Sequence, residues 1–122
     1  MLIICKTIEK KELSLTLKHF SRATIIEAYE KARKNLGENI SGSGARDTKL
    51  IKVYVTTKDI PGRVIFLFFI KKDIYTPVIL RTKTDRIGKN MTVKNKEFEK
   101  LLETNLDLVY DDIGKGNYEK VN

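Results

Sequence analysis

Leu50-Ile51-Lys52-Val53-Tyr54-Val55 and, shortly after, Pro61-Gly62-Arg63-Val64-Ile65-Phe66-Leu67-Phe68-Phe69-Ile70 decide the fold. In the first stretch Ile51, Val53 and Val55 alternate with Leu50, Lys52 and Tyr54, the period of two that sends successive strand side chains to opposite faces. Residues 63–70 are apolar almost throughout, the pattern of a strand buried on both faces. Pro61-Gly62 predicts the turn between the two. Lys71-Lys72-Asp73 closes a second hairpin into a strand over 74–83. Pro77 withholds one ladder hydrogen bond there, which marks either an edge strand or a bulge. Three antiparallel strands therefore form the centre of the chain.

Upstream, residues 2–7 read as a short first strand, and 13–20 as a helix with Leu13, Leu17 and Phe20 on one face. Thr24-Ile25-Ile26-Glu27 has the form of a capping box, and Ser21 is an equal candidate for the cap. Ile25, Ile26, Tyr29, Ala32, Arg33 and Leu36 follow at helical spacing, with Gly37 as the C′ stop. Ser41-Gly42-Ser43-Gly44 is a surface loop. Downstream come a basic loop over 83–89, a helix over 92–106 with Phe98, Leu101, Leu102 and Leu106 on one stripe, and a polar tail from about 112. The order β-α-α-β-β-β-α predicts an α+β domain over 1–122. Its expected form is a twisted, mainly antiparallel four-stranded sheet with two N-terminal helices on one face, a C-terminal helix, and the other face partly open. Ile51, Val53, Val55, Val64, Phe66 and Phe68 are expected to share a core with Ile26, Tyr29 and Leu36.

The 122 residues suit one domain with a core that needs no staple. Cys5 is the single cysteine, so no disulfide within the chain and no cysteine zinc cluster can form, and a buried structural thiol is expected. The apolar N-terminal run is too short for a signal h-region, and the longest apolar run, 64–70, is far below the roughly 20 residues of a membrane span. With the free thiol this predicts a cytoplasmic protein and no membrane partner. His19 is the sole histidine, which excludes a histidine pair for RNA cleavage and a multi-histidine metal site. Asp111-Asp112 is either a metal candidate or a solvated helix end. No phosphate-cradling Gly-x-x-x-x-Gly-Lys loop occurs. Neither a metal nor a cofactor is expected.

The net charge of +8 is unevenly placed. Residues 1–45 carry eight Lys/Arg against five Asp/Glu, 46–100 fourteen against six, and 101–122 two against five. The flanks cancel, so the excess sits in the central segment, where it would draw in phosphate backbones; the alternative is a solvated lysine surface that serves solubility. Lys52 shares a face with Tyr54, Arg63 opens the third strand, and Arg81 and Lys83 share a face of the fourth, followed by Arg86 and Lys89. Neighbouring antiparallel strands are expected to gather these cations into one concave patch, suited to bidentate arginine contacts with phosphate and to lysines that orient a 2′-hydroxyl.

These residues resemble the RelE/ParE superfamily of toxins. Pro61-Gly62-Arg63-Val64-Ile65-Phe66-Leu67-Phe68-Phe69 is similar to the family's Gly-x-Arg-Val-Ile-Tyr-aromatic third strand. Lys72-Asp73-Ile74-Tyr75 through Lys83 and then Lys89-Asn90-Met91-Thr92 resemble the Lys…Asn-Leu-Thr end of the HigB-like branch. The resemblance spans nearly the whole chain in topology and about thirty residues in detail. It implies a toxin of a type II toxin–antitoxin system, a metal-independent endonuclease (mRNA interferase) cutting mRNA on the ribosome and held by a cognate antitoxin in a hetero-oligomer. It implies catalytic roles for Arg63, Lys52, Lys83 and Arg86, with Lys49, Arg81 and Lys89 binding RNA. The C-terminal tyrosine or histidine of the RelE pattern has no matching position, Tyr110 and Tyr118 being the tail's aromatic residues. A gyrase-inhibiting ParE-like toxin without nuclease activity, or a catalytically silent RNA-binding module of the same fold, are the alternatives.

Overall fold

The alternation in the central strands builds two cores, one on each side of a sheet. A computed structural model describes residues 1–16, 19–40, 45–88, 91–92 and 94–121. Leu17 of the first helical stripe, the 41–44 loop, Lys89 and Asn90 lie outside them. The elements are β1 (Leu2–Cys5), α1 (Lys6–Thr16), α2 (Arg22–Arg33), β2 (Glu38–Ile40), β3 (Thr48–Thr57), β4 (Ile60–Phe69), β5 (Ile74–Thr82), α3 (Lys96–Lys115) and β6 (Tyr118–Val121). The α+β class is as expected. The sheet, however, has six strands in the order β2-β3-β4-β5-β1-β6, and it is mixed, because β1 runs parallel to β5. The two added strands, β2 and β6, are three and four residues long, too short to display a period.

Ile51, Val53, Val55, Val64 and Phe66 pack against Ile25, Ala28 and Ala32 of α2. Leu50, Ile65, Leu67 and Ile79 face the other way, onto Phe98, Leu102, Leu106 and Val109 of α3. Helices therefore lie against both faces, which corrects the expectation that they pack on one alone; α3 covers only part of the second face. The reason is in β4: a strand apolar on both faces requires cover on both, and Val64 through Leu67 are fully buried. Helix α1 straddles the layers, giving Ile8 to the α3-side core and Leu13 to the margin of the α2-side core. It runs alongside β5 beyond the end of β1, where the Glu12 carboxylate accepts the Leu80 N–H at 2.9 Å, a partner for an otherwise open strand edge.

Several boundaries differ from the expectation for local reasons. The first hairpin turns at Lys58-Asp59, with φ of 52° and 65°, so that Thr57 pairs directly with Ile60. Two consecutive left-handed residues match the strand twist in a two-residue turn. Pro61 and Gly62 thus lie inside β4, and a Cβ on Gly62 would fall 2.2 Å from the Phe20 ring. That glycine is there to admit Phe20. The bulge at Pro77 is present, between Ile65 and Phe66 of the partner strand. Ser21 is the N-cap of α2, its N–H donating to the Thr24 hydroxyl. The helix ends in a Schellman arrangement, with Leu36 N–H bonded to the Lys31 carbonyl and Asn35 N–H to that of Ala32. Asn35, not Gly37, supplies the left-handed residue, at φ 62°. Leu36 is consequently 65 % exposed and outside the core.

The first strand stops at Cys5, and α1 begins at once. Its Thr7 N–H and hydroxyl both donate to the Asp112 carboxylate, at 2.9 and 2.8 Å. The Asn95 side chain caps α3 by accepting the Glu97 N–H. That helix continues to Lys115, ends on left-handed Gly116, and β6 then pairs antiparallel with β1. The predicted polar tail is an ordered strand.

Candidate nucleic-acid interface

The pairing register sets out the basic residues one by one. On the α3 side of the sheet, Tyr54 of β3 stands opposite Arg63 of β4, and Arg63 opposite Arg81 of β5. Lys52 lies one same-face step from Tyr54. Lys83 N–H bonds to the Pro61 carbonyl, which extends the row past the end of β5. Beyond the part of this face that α3 covers, the surface opens, and Tyr54 is 42 % exposed. The Arg63 guanidinium carbon sits 4.7 Å from the Tyr54 ring centroid and the Lys52 ammonium 5.5 Å from it. Cations at these distances are attracted by the ring quadrupole. Lys52 also approaches Glu38 of β2 at 3.7 Å. Arg63 forms no ion pair with a described residue.

Arg81 occupies the next place in the row and is chemically different. Its Nε and one terminal nitrogen donate to the two Glu12 oxygens at 3.1 and 3.0 Å, and its other terminal nitrogen lies 3.5 Å from Asp85. The Arg81 and Glu12 side chains are 9 % and 2 % exposed. Burial pushes the Arg81 pKa down, but the hydrogen bond and charge of Glu12, with Asp85 behind them, outweigh it and hold the group above its ordinary value. Its donors are committed within the protein. Asp85 in turn accepts the N–H groups of Ile87 and Gly88, so the clamp also fixes the loop that carries Lys83 and Arg86.

The predicted single patch is thus divided. Lys49 belongs to the opposite face: it pairs with Phe68, and its ammonium lies 5.6 Å over that ring. Arg86 is exposed and bound through two nitrogens to Glu97 in the first turn of α3, a contact that raises its pKa. Lys83 is exposed and forms no ion pair with a described residue. Lys89 lies outside the described residues. Lys52, Arg63 and Lys83 are therefore the cations brought together on the open end of the α3-side face.

The tail tyrosines lie elsewhere. Tyr110 packs edge-on against Phe69, at the far end of β4 and roughly 20 Å along the strand from Arg63. Tyr118 borders an apolar pocket with Met1, Ile3 and Ile113. Tyr54 is the tyrosine that accompanies the cations, and the alternation in the sequence already set it beside Lys52. Glu12 left no such signal, since its partners are 68 and 69 residues away. Of the acidic pair, Asp112 is buried and bonded to Thr7 and Asn117, whereas Asp111 pairs with Lys115. Among the described residues no three His, Cys, Asp or Glu side chains cluster to hold a metal. Burial pushes the Cys5 thiol up, a hydrogen bond with Thr76 only partly opposing it, as expected of a structural cysteine. No helix among the described residues is long and apolar enough to cross a membrane.

No family model, curated protein or solved structure matches this chain.

Proposed function

We propose that this chain is a toxin of the RelE/ParE kind that cleaves ribosome-bound mRNA in the cytoplasm and is held inactive by a cognate antitoxin. The observation that carries this reading is Arg63, a guanidinium with no carboxylate partner among the described residues, set against an exposed tyrosine ring beside Lys52. The order of strand, two helices, three antiparallel strands and helix, embedded in the six-stranded arrangement, adds support through the resemblance. An exposed ring offers a base a face to stack on, and free cations meet phosphate. In the proposed reaction the ribose 2′-oxygen attacks the adjacent phosphorus while the bond to the 5′-oxygen breaks, and the 2′-hydroxyl proton passes to the departing oxygen. Arg63 would bind the non-bridging oxygens as their charge grows, Lys52 would orient the 2′-hydroxyl by turning from Glu38, and Lys83 would meet the departing side. Arg86 could join them only by exchanging Glu97 for phosphate. Arg81 holds the loop in place.

Expressed alone, the chain should arrest growth and leave transcripts cut at ribosome-bound codons, and the product of the neighbouring gene should relieve both effects. Intact ribosome-bound transcripts combined with inhibited gyrase supercoiling would replace this reading with the ParE-like one.

A further inference from the structure

The face opposite Arg63 carries a concavity that the endonuclease reading does not use. It measures about 230 Å³ and is bordered by Asn35, Asn39, Lys49, Phe68 and Tyr75. The backbone builds it in steps. Left-handed Asn35 ends α2, and the chain then enters β2, where Asn39 pairs with Ile51 of β3. Across the sheet the register sets Lys49, Phe68 and Tyr75 in one row. Phe68 and Tyr75 stack with centroids 4.1 Å apart and planes 14° from parallel. Tyr29 of α2 packs edge-on against Tyr75 at 5.4 Å. The opposite end of this stack is the Phe68 ring, with the Lys49 ammonium over it. Lys49 has no ion pair, and the Asn35 and Asn39 side chains have no hydrogen-bond partner, among the described residues.

The Phe68 ring under the Lys49 ammonium, two solvent-exposed carboxamides, and in Lys49 a cation with no ion pair among the described residues, border this one cavity. We propose that this concavity binds a nucleotide. The base extends the Phe68–Tyr75 stack, Asn35 and Asn39 hydrogen-bond its edge, and Lys49 meets the phosphate. Stacking on aromatic side chains and amide contacts to base edges are how unpaired bases are held. The flexible four-carbon stem lets the ammonium swing outward as the base enters. A carboxylate from a protein partner would meet Lys49 but would use neither the ring nor the two amides.

The test is titration of the isotope-labelled chain, followed by NMR, with nucleoside 5′-monophosphates, with ribose 5-phosphate and acetate as baseless probes, and with a short single-stranded oligonucleotide. Saturable shifts are expected at Asn35, Asn39, Lys49 and Phe68. Ribose 5-phosphate should bind roughly tenfold or more weakly than the mononucleotides. Lys49→Ala should weaken nucleotide binding on the order of tenfold without lowering the melting temperature, and Asn39→Ala should alter the ranking of the bases. An oligonucleotide that binds more tightly than the mononucleotides identifies a nucleic-acid strand as the source, and equal binding a free nucleotide; both uphold the site. No saturable shift at these residues with millimolar nucleotide overturns it. So does ribose 5-phosphate or acetate binding as tightly as nucleotide, which would mark a simple anion site for a protein carboxylate. Because the readout is binding, a chain that cuts no RNA but passes this test keeps the site, and the two readings fail separately.

Discussion

Arg63 and Arg81 are direct neighbours across β4 and β5, on the same face of the sheet, yet they sit in opposite chemical surroundings. Arg81 is enclosed by Glu12 and Asp85, whereas Arg63 rests on the Tyr54 ring and forms no ion pair with a described residue. A guanidinium whose donors are already matched by carboxylate contributes little attraction to a phosphate, because the incoming anion must displace an ion that binds equally well. The net charge of the central segment therefore overstates what an anionic partner meets. What matters is how many cations lack a built-in counterion, and on the open face these are few.

The largest expected effect lies on the enclosed side. Glu12→Ala leaves a buried guanidinium with Asp85 as its remaining carboxylate and the Leu80 N–H without its acceptor. It should cost about 3–5 kcal/mol in denaturant unfolding, and a loss below about 1 kcal/mol would show that the Arg81 clamp is not a buried pair in solution. Asp112 gives a smaller effect with a pH signature. Its burial pushes the pKa up, but hydrogen bonds from Asn117 and from the Thr7 backbone and hydroxyl outweigh this and leave it below the usual aspartate value. A carboxyl depressed on folding contributes stability that is present above its unfolded pKa of about 3.9 and is lost as pH falls through the folded value. Asp112→Asn should accordingly flatten the acid limb of the stability profile below about pH 4, and an unchanged limb would assign acid unfolding to other groups. Smallest of all is Glu97→Gln, which releases Arg86. The melting temperature should stay where it is, and RNA binding should tighten slightly at low salt and return to the wild-type level as salt rises.

The same contrast explains what the sequence could tell. Alternation in β3 was legible because a strand with one apolar face repeats every two residues, and it correctly paired Lys52 with Tyr54. Applied to Lys49, the same rule sets it with Ile51 and Val53 on the other face, so the division of the patch was within reach. The continuous apolar run of β4 likewise called for cover on both faces. Three things were out of reach. Glu12 reads as an ordinary surface residue of a helix and meets Arg81 only through tertiary packing. The start of α1 is fixed by Asp112, 105 residues downstream of Thr7. The short strands β2 and β6 exist because β3 and β1 offer them open edges, a cause absent from their own residues.

The account's central claim is that Arg63, the arginine on the open face with no counterion among the described residues, does the chemistry, and one pair of measurements on a single variant tests it. Single-turnover cleavage of ribosome-bound mRNA by Arg63→Ala should fall on the order of 10²–10³-fold, the usual loss when a donor to a developing oxyanion is removed. Its thermal melt should coincide with that of the wild type, since the Arg63 side chain closes no buried ion pair. An Arg63→Ala chain that melts normally and cleaves at the wild-type rate would contradict the claim.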